Sequence, residues 1–160
     1  MTITIKLNRQ CLDQLDLSPA IATIENILTT GTIAACEQEI CFEIDYPRDP
    51  QDPRELSEVP EIRLWFVRLD ARYPWLPFLL DWKAGELARY VAMLVPHQFH
   101  RTEGIQYNPE ALEIFLMSKI FILADWLAEQ KIPSISRLKS LSQMLGYDLD
   151  EALFELIADC

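Results

Sequence analysis

Glycine and histidine are scarce in this chain. It has only four glycines, all isolated, so no glycine-rich loop is available to cradle a phosphate. No serine sits in a nucleophile elbow. The two histidines, His97 and His100, cannot hold a zinc ion alone, because such a site needs a full tetrahedral set. Cys36 and Cys41 join them only if the fold brings all of these residues close. The four cysteines, Cys11, Cys36, Cys41 and Cys160, form no close C-x-x-C pair and read as reduced, mostly buried thiols. Long apolar runs are also missing. The richest, Ile114 to Ala124, is interrupted by Ser118 and Lys119 and falls short of the roughly 20 residues a membrane span needs. The opening MTITIKLNRQ has neither a secretory core nor the arginine- and serine-rich character of a transit segment.

Bases are the last deficit. Lys and Arg number 14 against 25 Asp and Glu, for a net charge of -11. A phosphate backbone needs a basic footprint, so nucleic acid is excluded as a partner, and an anionic membrane surface with it. A basic protein surface would be attracted. The acids are concentrated early: the balance is -7 (11 acids, 4 bases) over residues 1–60 and -4 (14 acids, 10 bases) over residues 61–160.

What remains is apolar and proline-punctuated. Half of the 160 residues are hydrophobic, enough for one domain spanning 1–160 with a sizeable core. Alternation predicts strands over residues 2–7, over 39–45 (EICFEID) and over 61–69, where Ile62, Leu64 and Phe66 share one face. Ser18-Pro19 starts a helix that Gly31 ends. The segment Tyr46 to Pro60 holds four prolines and reads as a long exposed loop. The simplest pairing is a hairpin of the second and third strands across it.

Downstream, His97 to Tyr107 reads as a loop. Asn108-Pro109 starts a helix to about Gln130 that is apolar on most sides. Such a helix is expected at the centre of the core, covered on both faces. Ser134 caps a helix ending at Gly146, and Asp148 with Glu151 has capping-box spacing before the last helix. The expected fold class is α+β: a small, mostly antiparallel sheet from the N-terminal half, packed against a helical C-terminal half.

The stretch PWLPFLLDWKAGELARYVAMLVPHQF, Pro74 to Phe99, is the densest mixture of aromatics, prolines and charges. It predicts a helix stopped by Pro96, with two stripes. Leu80, Ala84, Leu87, Ala88, Val91, Leu94 and Val95 form one. Trp82, Glu86, Arg89 and Met93 form the other, with Glu86 and Arg89 spaced to pair. Aromatics beside charges, such as Trp75 and Trp82, are typical interface anchors, although any single aromatic is more often core. A partner-binding face of Trp75, Trp82, Glu86, Arg89, His97, Gln98 and Phe99 is therefore expected. In the bland alternative the same residues tie this helix to the sheet. A hydrolase or metal-dependent enzyme would need Asp81, Glu86 and His97 to converge. Asp81 and Glu86, five apart, do not share a helix face, and no catalytic or metal set is expected.

Pro74 to Phe99, with DWKAGELARY its most distinctive part, resembles the chlororespiratory-reduction-six family of cyanobacteria and chloroplasts. The following GIQYNPEALEIFLMSKIFILADWL, Gly104 to Leu127, is similar to it as well. The resemblance covers nearly the whole chain. It implies a non-enzymatic maturation factor for subunit I, an iron–sulfur subunit of the photosynthetic NAD(P)H dehydrogenase-like complex. It implies no catalytic residues and no cofactor, and a cytoplasmic location in the cyanobacterial form. The partner would be subunit I or an assembly intermediate, with no membrane insertion. Cys36-x4-Cys41 is a poor match to cluster-binding runs, so the factor is expected to hold its client without carrying the cluster.

Overall fold

The computed structural model describes residues 2–158. Cys160, one of the four cysteines, lies outside them. The chain divides into two compact units, Met1–Leu94 and Val95–Cys160.

The first unit opens with β1 (Ile3–Asn8), α1 (Arg9–Asp13) and α2 (Ser18–Thr30), which lead to β2 (Ile40–Asp45). The strands pair in parallel, with Ile3 opposite Ile40, Ile5 opposite Phe42 and Leu7 opposite Ile44. A parallel pair needs a long crossover, and α1 and α2 supply it. Asn8 ends the strand and caps α1, its side chain accepting from the Cys11 amide. Asp16 accepts from the Ser18 amide and hydroxyl ahead of α2, and Gly31, at φ 69°, closes that helix.

Residues 61–69 are not a strand. They lie in α3 (Pro60–Arg72), with proline in the first turn. The same residues carry two periods. Alternation puts Leu64 with Phe66 and Trp65 with Val67, whereas a helix groups Ile62, Trp65, Phe66 and Leu69. The helical group is the one that is buried, while Leu64 and Val67 stay 47% and 44% exposed. Packing explains the choice. Phe66 meets Phe42 edge-on at 5.1 Å between centroids, Trp65 meets Phe66 at 5.0 Å, and the indole N–H of Trp65 donates to the Asp16 carbonyl at 2.8 Å. The expected hairpin with the second strand is therefore absent, and the N-terminal sheet is parallel instead of antiparallel.

The predicted central helix is shorter than its pattern. Residues 80–85 are not helical, and α4 spans Glu86–Leu94. Leu79 to Asp81 instead runs along β2: the Ile40 amide donates to the Leu79 carbonyl at 2.8 Å, and the Asp81 amide donates to the Ile40 carbonyl at 2.9 Å. Pro74 and Pro77 hold the preceding chain in tight turns. Tyr90 is buried, meets the Phe66 ring at 6.2 Å, and donates its hydroxyl to Asp70, joining α4 to α3.

The second unit starts with the antiparallel hairpin β3 (His97–His100) and β4 (Gly104–Tyr107). These residues read as a loop because most are polar and neither face is continuously apolar. Gly104 enters β4 at φ 77°. Asn108 caps α5 (Pro109–Glu129), its side chain accepting from the Ala111 amide at 3.0 Å. Helices α6 (Ile135–Met144) and α7 (Glu151–Ala158) pack on α5 and bury Leu138, Leu141 and Phe154. Asp150, not Asp148, accepts from the first turn of α7, at the Ala152 amide. Only one face of α5 is covered, which corrects the expectation of cover on both: Ile114 and Phe121 are 70% and 51% exposed.

The α+β class holds, and helices dominate beyond the N-terminal sheet. The helical register of α3 has a direct test. Trp65→Ala should cost about 3–5 kcal/mol in denaturant unfolding, and Val67→Ala about 0.5 kcal/mol or less. A strand would put both residues on one face, so similar losses from the two variants would defeat the helical assignment.

Candidate functional site

The segment DWKAGELARY builds a small polar junction on the outer edge of β2. The two edges of a strand alternate along its backbone. Ile3 donates to the Glu39 carbonyl, so the odd-numbered residues of β2 face β1, and Ile40, Phe42 and Ile44 turn their main-chain groups outward. At Ile40 those groups are met by the backbone of Leu79 and Asp81. The chain then turns away, and side chains take over. The guanidinium of Arg89 donates to the Phe42 carbonyl. It also donates to Glu86, at 3.0 and 3.3 Å to the two carboxylate oxygens. A side-chain pair from α4 thus stands where a third strand would bind.

The turn before α4 places this pair. Asp81 accepts from the Ala84 amide at 3.1 Å, and its carbonyl accepts from the Glu86 amide at 3.1 Å. Gly85 sits at φ 83°, a conformation that side chains disfavour. Trp82 folds back, its indole N–H donating to the Pro77 carbonyl at 2.8 Å. Glu86 is only 8% exposed, whereas Arg89 and Trp82 are half-buried. Burial pushes the Glu86 carboxyl above its ordinary range, and the Arg89 charge and the Phe42 amide pull against that rise.

Cys41, on the neighbouring β2 position, donates its thiol to Asp81 at 3.7 Å. Burial, then the charges of Glu86 and Asp81, push this thiol up. Cys11 is also pushed up, mainly by burial, and its thiol donates to the Asn8 carbonyl at 3.1 Å. Neither is an activated thiolate.

The remaining residues of the expected face divide between the two units. Trp75 is half-buried and meets the Tyr73 ring edge-on at 5.6 Å. His97, Gln98 and Phe99 belong to β3. His97 is half-buried, with Nδ1 3.0 Å from the Val95 carbonyl and its ring 5.8 Å from that of Tyr107. His100 Nδ1 lies 3.0 Å from the Thr102 hydroxyl. Residues three apart in a strand point to opposite faces, so β3 does not present both histidines to one ion. Among the described residues, no group of three or more His, Cys, Asp or Glu is placed to hold a metal. Gln98 and Phe99 are exposed, and Phe99 pairs across the hairpin with the exposed Ile105. Pro96, His97, Gln98, Gln106, Tyr107 and Asn108 line a shallow groove of about 360 Å³.

Sequence reasoning found the Glu86–Arg89 pair and missed its third member. Phe42 contributes through its backbone, and a backbone carbonyl leaves no mark on residue identity. The one available signal was the even spacing of Ile40, Phe42 and Ile44, which places Phe42 among the outward-turned main-chain groups.

The pH dependence of stability tests the burial of Glu86. Its raised pKa means that the folded state holds the proton more tightly than the unfolded chain. Its contribution is thus fully present below the ordinary value of 4.5 and is lost as pH rises through the folded value. Glutamine does not titrate. The Tm of Glu86→Gln relative to wild type should therefore move in the variant's favour between about pH 4 and pH 7. A constant difference across that range would show that Arg89 and Phe42 cancel the effect of burial.

No solved structure matches the chain. A family model does, over residues 7–156, and that span includes both the β2-edge junction and the hairpin. The chain belongs to the Chlororespiratory reduction 6 family, and with it to the non-enzymatic assembly and maturation factors of the NAD(P)H dehydrogenase-like complex.

Proposed function

We propose that this factor holds subunit I of the dehydrogenase-like complex, or an early assembly intermediate containing it, through two sets of contact residues, one on each unit. Family membership supports the client. The observation that carries the surface is the division between buried and half-exposed groups around DWKAGELARY. Glu86 is buried and acts as a positioning residue: it fixes the guanidinium of Arg89, part of which remains open to a partner. Trp75 and Trp82 supply half-exposed aromatic surface on the same unit. On the second unit, Phe99 is 52% exposed, with Gln98 beside it and His97 in the adjoining groove.

The factor shields its client and carries no cluster. Cys11, Cys36 and Cys41 supply no ligand set for one: among the described residues no group of three or more His, Cys, Asp or Glu is placed to hold a metal. The net charge of -11 favours encounter with a basic client surface and discourages acidic ones. Among the described residues no helix is long and apolar enough to cross a membrane.

The test is capture of subunit I from cell extract by the full chain. Trp82→Ala and Phe99→Ser should each weaken capture by at least about thirtyfold if the residue is a hot spot, which corresponds to about 2 kcal/mol. Arg89→Glu should also lose the client, and Glu86→Gln should weaken it less, because Arg89 keeps its bond to Phe42. Retained capture by variants that still melt cooperatively near the wild-type temperature would move the binding surface elsewhere.

A further inference from the structure

Helix α5 is apolar around nearly its whole circumference, yet only one side is buried. The covered side holds Leu116, Lys119, Ile120, Leu123, Ala124, Trp126 and Leu127. A helix of this character belongs in a core, because water on any side of it is unfavourable. On the open side, Ile114 and Phe121 stand two turns apart, 70% and 51% exposed, with the half-buried Met117 between them. Isolated exposed apolar residues are ordinary, but an aligned row on one helix face marks an interaction surface.

The charges around that row specify what covers it. Glu110, Glu113, Asp125 and Glu129 are all exposed. At 100° per residue, Glu110, Asp125 and Glu129 fall within about 60° of Ile114, and Glu113 flanks the row. The one base of the helix, Lys119, is turned inward, with its ammonium 5.5 Å from the Phe115 ring. On the open face Ile114 and Phe121, with the exposed Ser118 between them, are therefore rimmed by acids: Glu110 and Asp125 lie one turn beyond them nearly in line, Glu113 and Glu129 lie to the sides, and α5 sets no base among them. A second copy would set acids against acids, and an anionic lipid surface would be repelled in the same way. A basic amphipathic helix meets both requirements: apolar side chains one and two turns apart fill the row, and Lys or Arg beside them neutralises the rim.

We propose that the outward face of α5, centred on Ile114 and Phe121, is a docking surface for a basic amphipathic helical segment of a protein partner. The proposal rests on the reading of this chain as a client-binding factor and adds a surface distinct from Trp82, Arg89 and Phe99.

The first experiment titrates the full chain with a synthetic leucine–lysine peptide of about five helical turns. Two controls accompany it: a scrambled peptide of the same composition without an apolar face, and a leucine–glutamate counterpart. The leucine–lysine helix should bind, and at least about tenfold more tightly than the scrambled peptide. Ile114→Ser/Phe121→Ser should remove that preference, whereas Leu64→Ser/Val67→Ser, exposed residues of α3, should leave it intact. Should the first double variant fail to melt cooperatively, Glu110→Gln/Asp125→Asn serves instead, and should weaken binding and flatten its salt dependence. Equal binding of the scrambled peptide, or equal loss from both serine pairs, would overturn the proposal. So would wild-type dimerisation that the α5 variant abolishes, because the occupant would then be a second copy. Capture of subunit I provides the second arm. Loss of client on substituting α5 supports the surface; retention there, with loss in Trp82→Ala or Phe99→Ser, rejects it while leaving the client reading in place. Failure of the wild-type chain to capture subunit I rejects the client reading, and the peptide arm still decides the fate of the α5 surface.

Discussion

A two-stranded parallel sheet has two open edges and little area of its own, so it survives only where other elements satisfy it. Here the demand falls on the outer edge of β2. Backbone from Leu79 to Asp81 answers it at Ile40, and the Arg89 side chain answers it at Phe42. Much of the first unit follows from that requirement. The prolines at 74 and 77 keep the chain compact enough to return to the strand. Gly85 turns it away again, and Glu86 enters the interior only because Arg89 comes with it. A buried carboxylate is unfavourable unless paired, and the pair in turn is ordered by a main-chain carbonyl that cannot move without the sheet.

Beneath this edge lies an aromatic cluster. Phe42, Trp65, Phe66 and Tyr90 meet edge-on, at centroid separations of 5.0 to 6.2 Å. The two systems support each other, since Phe42 gives its ring to the cluster and its carbonyl to Arg89. The polar junction and the apolar core therefore form one cooperative structure. Side chains on DWKAGELARY are held on this base, and a partner that met them there would face a lower ordering cost.

Elements with a single unambiguous period were readable from residues alone. TITIKL and EICFEID alternate cleanly, and both are strands. Asn108-Pro109 and Gly31 mark the helix ends they were expected to mark. The segment EIRLWFVRLD was not readable by pattern, because its apolar residues satisfy periods of two and of 3.6 at once. Partners distant in sequence decided the matter: Phe42 and Asp16 reach Trp65 and Phe66 only when they lie on a helix. Parallel pairing was hidden for a related reason, since the sense of pairing depends on what α1 and α2 do between the strands. Polar hairpins such as His97 to Tyr107 carry too few apolar residues for alternation to show. The Glu86–Arg89 spacing was visible, but its destination on Phe42 was a backbone atom.

The closure of β2 by residues so much later in the chain also orders events during synthesis. A nascent chain that has emerged only as far as the proline-rich segment holds both strands and the crossover, but not α3, the Leu79–Asp81 return or Arg89. Its sheet edge is unpaired and the Phe42 ring has no aromatic neighbours. The contacts that close the β2 edge and surround the Phe42 ring thus become available only once the chain through α4 has been made, whereas the pairing of β1 with β2 needs nothing beyond Asp45.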